Sequence, residues 1–305
     1  MDRSERPAER GDDRWSRWLR SGRFTDEPAA AALWEQLYDW RDTVLDHAAL
    51  EGSETVLDVG TGEGLIGHGA LDRLGPGGSV IFSDISLPVL VDAHASVVAR
   101  HDGHRSGFLR ASADALPLTT GSVDVVTTRS VLVYIKDKPS ALSEFHRVLS
   151  PGGRLSICEP ITSFNSIMRD RPGLLWGYDV GPYGELAGRI QTTWEQLHAP
   201  SRQGLAIDFD ERDLFGYVED AGFGDVHLEL SAWNCATGKP RAEDWDAFIE
   251  SAPNPFAPSR REALEVALSP AERAAIRGQL RPQVESTEIG KEDRGAIAYL
   301  WATKR

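Results

Sequence analysis

One stretch limits what this chain can fold into more than any other: Thr55-Val56-Leu57-Asp58-Val59 followed by Gly60-Thr61-Gly62-Glu63-Gly64. Thr55 to Val59 is short, apolar and β-branched, the composition of a buried parallel strand. Glycines at three alternate positions then break regular structure and permit a tight turn with close backbone approach. Leu65 to Leu74 resumes an apolar pattern compatible with a helix. Strand, glycine turn and helix together offer backbone N–H groups and a helix N-terminus to a ligand, at the carboxyl edge of an open α/β sheet.

Composition narrows the partners. At 305 residues the chain can build a large core, or a core with a sizeable cap. Its 47 acidic residues outnumber 33 Lys and Arg, and the formal net charge of −14 repels phosphate backbones. No nucleic-acid substrate is therefore expected. No apolar run approaches membrane-spanning length, and the polar start has no apolar core of signal-peptide type, so the expectation is a cytoplasmic protein without membrane contact. Cys158 and Cys235 give neither a metal-ligand spacing nor a disulfide framework, so no metal is expected.

Further strand ends carry polar residues in a definite order. Gly75-Pro76-Gly77-Gly78 is a turn, Ser79 to Ser83 a second strand, and Asp84-Ile85 its end. Asp84 stands about 20 residues past the glycines, where an acidic residue accepts the two ribose hydroxyls of a nucleotide. A carboxylate suits that task because it takes two charge-assisted hydrogen bonds at once. Pro88 to Arg100 reads as a helix opened by proline, and Phe108 to Ala111 as a third strand. Ser112-Ala113-Asp114-Ala115-Leu116-Pro117-Leu118 follows. Ser122 to Thr128 is a fourth strand with Arg129-Ser130 at its end; Pro139 to Leu149 is a helix. Ser150-Pro151-Gly152-Gly153-Arg154-Leu155 turns into a fifth strand.

In this order, Asp58-x-Gly60-x-Gly62-x-Gly64, the Asp114-Ala-Leu-Pro segment and the Pro-Gly-Gly turn resemble the motifs of class I S-adenosylmethionine-dependent methyltransferases, over about half the chain. Gly62 to Gly67 also matches the dinucleotide pattern G-x-G-x-x-G. In that pattern the first glycine directly follows the strand; here that residue is Gly60, and three past Gly62 stands Leu65. A nicotinamide-dependent oxidoreductase predicts neither the Asp114 segment nor the Pro-Gly-Gly turn.

The resemblance implies an α/β, doubly wound fold: a seven-stranded, mostly parallel sheet with its last strand, Gly295 to Ala302, antiparallel, plus helical N-terminal and inserted cap segments. It implies S-adenosyl-L-methionine as cofactor and S-adenosyl-L-homocysteine as product. Gly60, Thr61 and Gly62 would cradle the methionine and ribose part, and Asp58 would reach the amino group. Asp84 and Ile85 would sit at the ribose. Asp114 would take the adenine amino group and the Ala113 backbone would meet the ring, with Arg129 also at the cofactor. Arg41, on an amphipathic helix spanning residues 29–50, would pair with the methionine carboxylate.

Methyl transfer is an in-line displacement, so the protein must align the reactants, exclude water and sometimes remove a proton. Tyr134 and Glu159 lie beyond the carboxyl ends of the fourth and fifth strands, at the ligand crevice of such sheets. Tyr134 is expected to wall the site and touch the acceptor. Glu159 is expected as a general base if burial raises its pKa, with an ion pair to a nearby Arg as its other reading. Cys158 reads as a small buried hydrophobe.

The expected organisation is an N-terminal helical lid (residues 1–50), a cofactor core (51–160), a cap insertion (161–206), a return to the core (207–239), a helical insertion (240–290) and the last strand (291–305). Trp15, Trp18 and Phe24 bring aromatic surface early, and the insertions carry Trp176, Tyr178, Tyr183, Trp245 and Phe248. These segments are expected to fold over the crevice and supply acceptor contacts, with Tyr178 and Tyr183 among them. The function this points to is methyl transfer to an O or N atom of a small molecule or short peptide, with a homodimer the one self-association considered. A cofactor-binding protein or partner subunit without turnover is the alternative from another class.

Overall fold

A computed structural model of the chain describes residues 12–22, 27–167, 173–205, 209–235, 240 and 242–305. Phe24, expected in the early aromatic surface, lies outside these.

The apolar runs form a sheet where the sequence places them. β1 (Thr55–Val59), β2 (Ser79–Asp84), β3 (Ser106–Arg110), β4 (Val123–Arg129), β5 (Leu149–Pro160), β8 (Phe223–Cys235) and β9 (Asp293–Lys304) lie in the order β3-β2-β1-β4-β5-β9-β8. β1 pairs in parallel with β2 and β4, and β4 with β5. Only β9 runs against the rest, paired antiparallel with both β5 and β8. The seven-stranded, doubly wound architecture is the expected one. The strand order reverses between β1 and β4, so the carboxyl ends of these two strands flank the crevice in which open α/β sheets bind ligands.

Helices cover both faces. α2 (Glu27–Ala48) and α3 (Leu65–Arg73) pack one face through Val44, Leu45, Ile66, Ala70 and Leu71. α5 (Lys138–Val148) and α8 (Glu211–Asp220) bury Leu142, Phe145, Leu214 and Val218 against the other. α4 (Leu87–Ala99) is capped by Ser86 and has proline in its first turn.

The expected boundaries at residues 161–206 and 240–290 do not separate two units. A hairpin of β6 (Leu174–Leu175) and β7 (Tyr178–Asp179), then α7 (Gly184–Leu205), come from the first insertion. α9 (Trp245–Glu250), α10 (Arg260–Ala267) and α11 (Pro270–Val284) come from the second. Leu175, Tyr178 and Ile190 share one buried cluster with Trp245, Phe248, Leu264 and Leu280. The two insertions thus build a single cap with its own core, although residues 209–235 of the sheet domain separate them in sequence. Ser259 and Ser269 start α10 and α11 with reciprocal capping by Glu262 and Glu272.

α1 (Arg14–Arg17) and the wide turn Trp18–Gly22 run between core and cap. Arg20 pairs with Asp92 on α4 at 2.8 Å, while the Trp18 indole donates to the Ala252 carbonyl of the cap at 2.9 Å.

Phe248 is fully buried at the centre of the cap, with Trp176, Tyr178 and Trp245 rings within 6.0 Å. Phe248→Ala should destabilise the cap by about 3–5 kcal/mol, the cost of emptying such a site. Hydrogen exchange should then accelerate in α7, α9 and α11 before the sheet responds. Equal protection of cap and sheet in the variant would contradict a cap with its own core.

Candidate active site

The site starts at the turn after β1. Asp58 is buried, and its carboxylate accepts hydrogen bonds from the Thr61 hydroxyl (2.6 Å), the Gly67 N–H (3.0 Å) and the Thr127 hydroxyl (3.2 Å). Burial pushes its pKa up to about 6 against these donors. Thr61 donates its own N–H to the Ser83 carbonyl at 2.9 Å, which locks the turn to β2. Asp58 therefore shapes the loop from within, and any reach to a cofactor amino group is additional to three protein hydrogen bonds.

Gly60 and Gly62 both hold left-handed backbone, with φ of +63° and +56°. Their surroundings differ. A Cβ on Gly60 would overlap the Val131 side chain, whereas one on Gly62 would meet no atom within 4 Å among the described residues. Gly60 is required by the protein's own packing, and Gly62 keeps a space open.

Asp84 stands beside that space at the end of β2. Its carboxylate accepts from the Gly62 N–H (3.0 Å) and from the Ser86 N–H (2.9 Å), and burial raises its pKa. Each oxygen keeps a second lone pair. Ile85 is exposed, and Asp114 accepts from the Ser112 hydroxyl next to Ala113. Arg129 ends β4 and donates to Ser130 Oγ at 3.2 Å; Ser130 itself has a left-handed φ of +55°. Arg41 holds Asp42 through two hydrogen bonds of 2.9 and 3.1 Å, with its guanidinium carbon 4.7 Å from the Tyr38 ring centroid.

Arg41, Asp58, Gly60, Thr61, Gly62, Asp84, Ile85, Ala113, Asp114 and Arg129 all line one cavity of about 930 Å³ between the sheet and the cap. Tyr134 lines it too, with the Trp15 ring 4.9 Å away edge-on and the Phe256 ring at 6.0 Å. Trp18, Trp34 and Trp40 complete an aromatic wall, and Glu243 and Arg260 add charge from the cap. Glu243, Phe256 and Arg260 went unassigned in the sequence. Phe256 sits in Pro253-Asn254-Pro255-Phe256-Ala257-Pro258, where proline on both sides of a large ring was the available signal.

Three expectations need correction. Glu159 is fully buried and absent from the cavity wall. Its Oε1 accepts from the N–H groups of Val131 (2.8 Å) and Leu132 (3.0 Å), and its Oε2 from that of Val133 (3.1 Å). It caps the short 3-10 turn Leu132–Tyr134 and has neither an arginine partner nor a free face for a general base among the described residues. Burial outweighs these three donors and pushes its pKa up to about 7. Tyr178 is only 3% exposed, in the cap core, and Tyr183 packs against the same cluster; neither lines the cavity. The hairpin turns the Tyr178 ring inward, 5.8 Å from that of Phe248. Cys158, by contrast, is the buried packing residue expected, its thiol pushed up to about 12 by burial, which does not suit nucleophilic attack.

An adenosyl and methionyl group fits this lining: the Cβ-free space at Gly62, the spare lone pairs of Asp84 and the acidic Asp114 follow one another along the carboxyl edge of the sheet. Fold and site together define a class I S-adenosylmethionine-dependent methyltransferase. The chain belongs to the ubiE/COQ5 methyltransferase family, whose model matches residues 32–237. Among curated relatives, the Ubiquinone/menaquinone biosynthesis C-methyltransferase UbiE of Hahella chejuensis is 28% identical over 185 residues, 60% of this chain and 72% of that protein. A methyltransferase-fold protein from Bacillus halodurans superimposes with a TM-score of 0.53 at 18% identity, covering 87% of this chain and 98% of the other. A phosphoethanolamine N-methyltransferase of Haemonchus contortus, crystallised with S-adenosyl-L-methionine, gives 0.50 at 16% identity over 96% of this chain and 60% of its own.

The two glycines should separate in mutagenesis. Gly62→Ala should cost about 1–2 kcal/mol of stability, for a left-handed residue alone, and weaken S-adenosyl-L-homocysteine in calorimetric titration. Gly60→Ala should cost clearly more in urea denaturation, since it also displaces Val131. Equal stability of the two variants would contradict the packing described.

The buried carboxylates also set a pH dependence. Glu159 at about 7 and Asp58 at about 6 retain protons in the folded chain that the unfolded chain has already released. Their contribution is full below the ordinary carboxylate range and is lost as pH rises toward 7. The urea midpoint should therefore fall between pH 5 and pH 8, a window taken from these two values. Glu159→Gln should flatten that slope; an unchanged slope would remove Glu159 from the account.

Proposed function

We propose that this enzyme methylates a small aromatic molecule seated against the ring cluster of Tyr134, Trp15 and Phe256, with the donor held at the sheet's carboxyl edge. The observation that carries the reading is the aromatic cavity of about 930 Å³, continuous from Gly62 and Asp84 to the cap. Ligand pockets span about 300–1,000 Å³, so this one is large enough for a cofactor with a small acceptor beside it. When bound, the cofactor supplies a methyl group already activated on a sulfonium.

The chain's own part is to bind, orient and exclude water. Asp84 and Asp114 hold the donor's polar edges, and Arg41 or Arg129 its carboxylate. Tyr134 presents its ring and hydroxyl to the acceptor from the end of the 3-10 turn that Glu159 caps. Trp15 and Trp18 close the cavity mouth between α4 and the cap, which keeps the reacting atoms away from bulk water. Oxygen, nitrogen and carbon are all chemically suited as acceptor atom, and the relatives named as C-methyltransferases of quinone biosynthesis bring carbon into that set.

Incubation with isotopically methyl-labelled S-adenosyl-L-methionine and a panel of phenols, aromatic amines and quinols should label at least one small aromatic. Label appearing only on aromatic peptides, or on nothing while the cofactor binds, would overturn the reading. Removing residues 1–24 should lower kcat/KM on the order of tenfold, with a smaller effect on the urea midpoint, if Trp15 and Trp18 serve closure. Full activity after truncation would make this segment outer packing.

A further inference from the structure

Arg260 is a cation of the cavity that the donor half does not call on. It opens α10, and its guanidinium carbon lies 4.2 Å from the Phe248 ring centroid and 5.7 Å from that of Trp176. Nη1 donates to the Phe248 carbonyl at 2.9 Å and to Ser251 Oγ. Nε and Nη2 make no hydrogen bond among the described residues, and no described carboxylate lies within ion-pair distance. Glu243 acts on Arg260 only through space, as does the Tyr178 hydroxyl from the cap core. Burial lowers the guanidinium pKa to about 10, which leaves it charged at neutral pH. The side chain is densely surrounded yet keeps accessible surface, and that surface faces the cavity.

A desolvated cation with unused donors is costly unless an anion completes it. The free edge, Nε with Nη2, is the planar fork that takes a carboxylate in bidentate fashion. Glu243 nearby limits the charge that can be accommodated and disfavours a dianion such as phosphate. Lys136 also lines the cavity, whose carboxylates Asp58, Asp84 and Asp114 lie on the donor side.

We infer that the acceptor is an aromatic carboxylic acid, its carboxylate gripped by Arg260 and its ring laid against Tyr134 and Phe256. The inference rests on the reading of this cavity as the acceptor site. Arg260 is a binding residue that sets specificity, and its contacts to Phe248, Ser251 and Trp176 hold it in place.

The protein saturated with S-adenosyl-L-homocysteine is titrated calorimetrically with benzoate, salicylate, 3,4-dihydroxybenzoate and 4-hydroxycinnamate, and with the methyl ester of each. At least one acid should bind about tenfold or more tightly than its ester, as a charge-assisted pair predicts. Arg260→Gln should abolish that preference with S-adenosyl-L-homocysteine affinity unchanged, and Arg260→Lys should keep part of it. Glu243→Gln should strengthen acid binding while esters stay as they were, which decides the matter if Arg260→Gln does not fold. Acids that bind no better than esters, a preference that survives Arg260→Gln, or no gain in Glu243→Gln would each overturn the inference. So would loss of S-adenosyl-L-homocysteine in folded Arg260→Gln, which would give Arg260 to the donor. Methylation of neutral aromatics by the parent enzyme would leave the proposed function standing in any of these cases.

Discussion

The buried carboxylate of Asp58 is the joint on which the cofactor end of the molecule depends. Taking a carboxylate out of water is expensive, and the structure offsets it with three donors from three separate elements: Thr61 in the turn, Gly67 in α3 and Thr127 in β4. Each bond fixes one element against β1, so the geometry of the glycine turn follows from satisfying one group. Glu159 repeats the device one strand further along. By gathering the N–H groups of Val131, Leu132 and Val133 it forces a tight turn after β4, and that turn presses Val131 against the place where Gly60 has no side chain. The two carboxylates are thus coupled through Val131, and Tyr134 is aimed at the cavity by the same turn.

A framework of this kind leaves the carboxyl edge of the sheet rigid but open to water. Closure is supplied by elements that have no part in the sheet. The cap has its own core around Phe248 and meets the sheet domain across the cavity, while Trp15 packs on Tyr134 of the one and Phe256 of the other and Trp18 donates to Ala252. Arg20 ties the same segment to α4 through Asp92, an exposed ion pair of modest strength. The closure is held by a few aromatic contacts and one indole hydrogen bond, which is the low-stability end of a structure and where opening for exchange of ligands is least costly.

Much of the sheet was legible because its signals are local. Thr55 to Val59, the glycines after it and the Pro-Gly-Gly turn each declare their conformation within a few residues, and the observed β1 has the expected bounds. Asp84 was legible for a similar reason, since its distance from the glycines follows from the length of one helix and one strand. The misreadings lie where a side chain's partner is distant. Glu159 has a sequence neighbourhood that suits a catalytic base, but its partners are backbone groups some 26–28 residues away, brought near only by the turn after β4. Tyr178 and Tyr183 carry the right chemistry for an aromatic site, but Tyr178 packs on Phe248 of α9, a helix from the other insertion, and Tyr183 lies against the same cluster. Nothing in residues 161–206 says that residues 240–290 will cover them. Phe256 shows the converse: a ring in a proline-rich loop points to the cavity because that loop has no core of its own to bury it in.

The donor and acceptor halves of the cavity also differ in how far likeness to other proteins reaches. Asp58, Gly60, Gly62, Asp84, Asp114 and Arg129 all fall within residues 32–237, the span matched by the family model. Trp15, Trp18, Glu243, Phe256 and Arg260 all fall outside it. The chemistry that activates a methyl group therefore comes with the family, since the residues that hold the donor are the ones compared. The surface proposed to receive the acceptor draws on both: Tyr134 lies within the matched span, while Trp15, Phe256 and Arg260 lie beyond it, toward the two ends of the chain. A quinone named for a relative consequently constrains the reaction type here more than it constrains the acceptor. On the acceptor reading proposed above, what is selected depends on the charge and shape of the cap, where Arg260, Glu243 and Phe256 line the cavity.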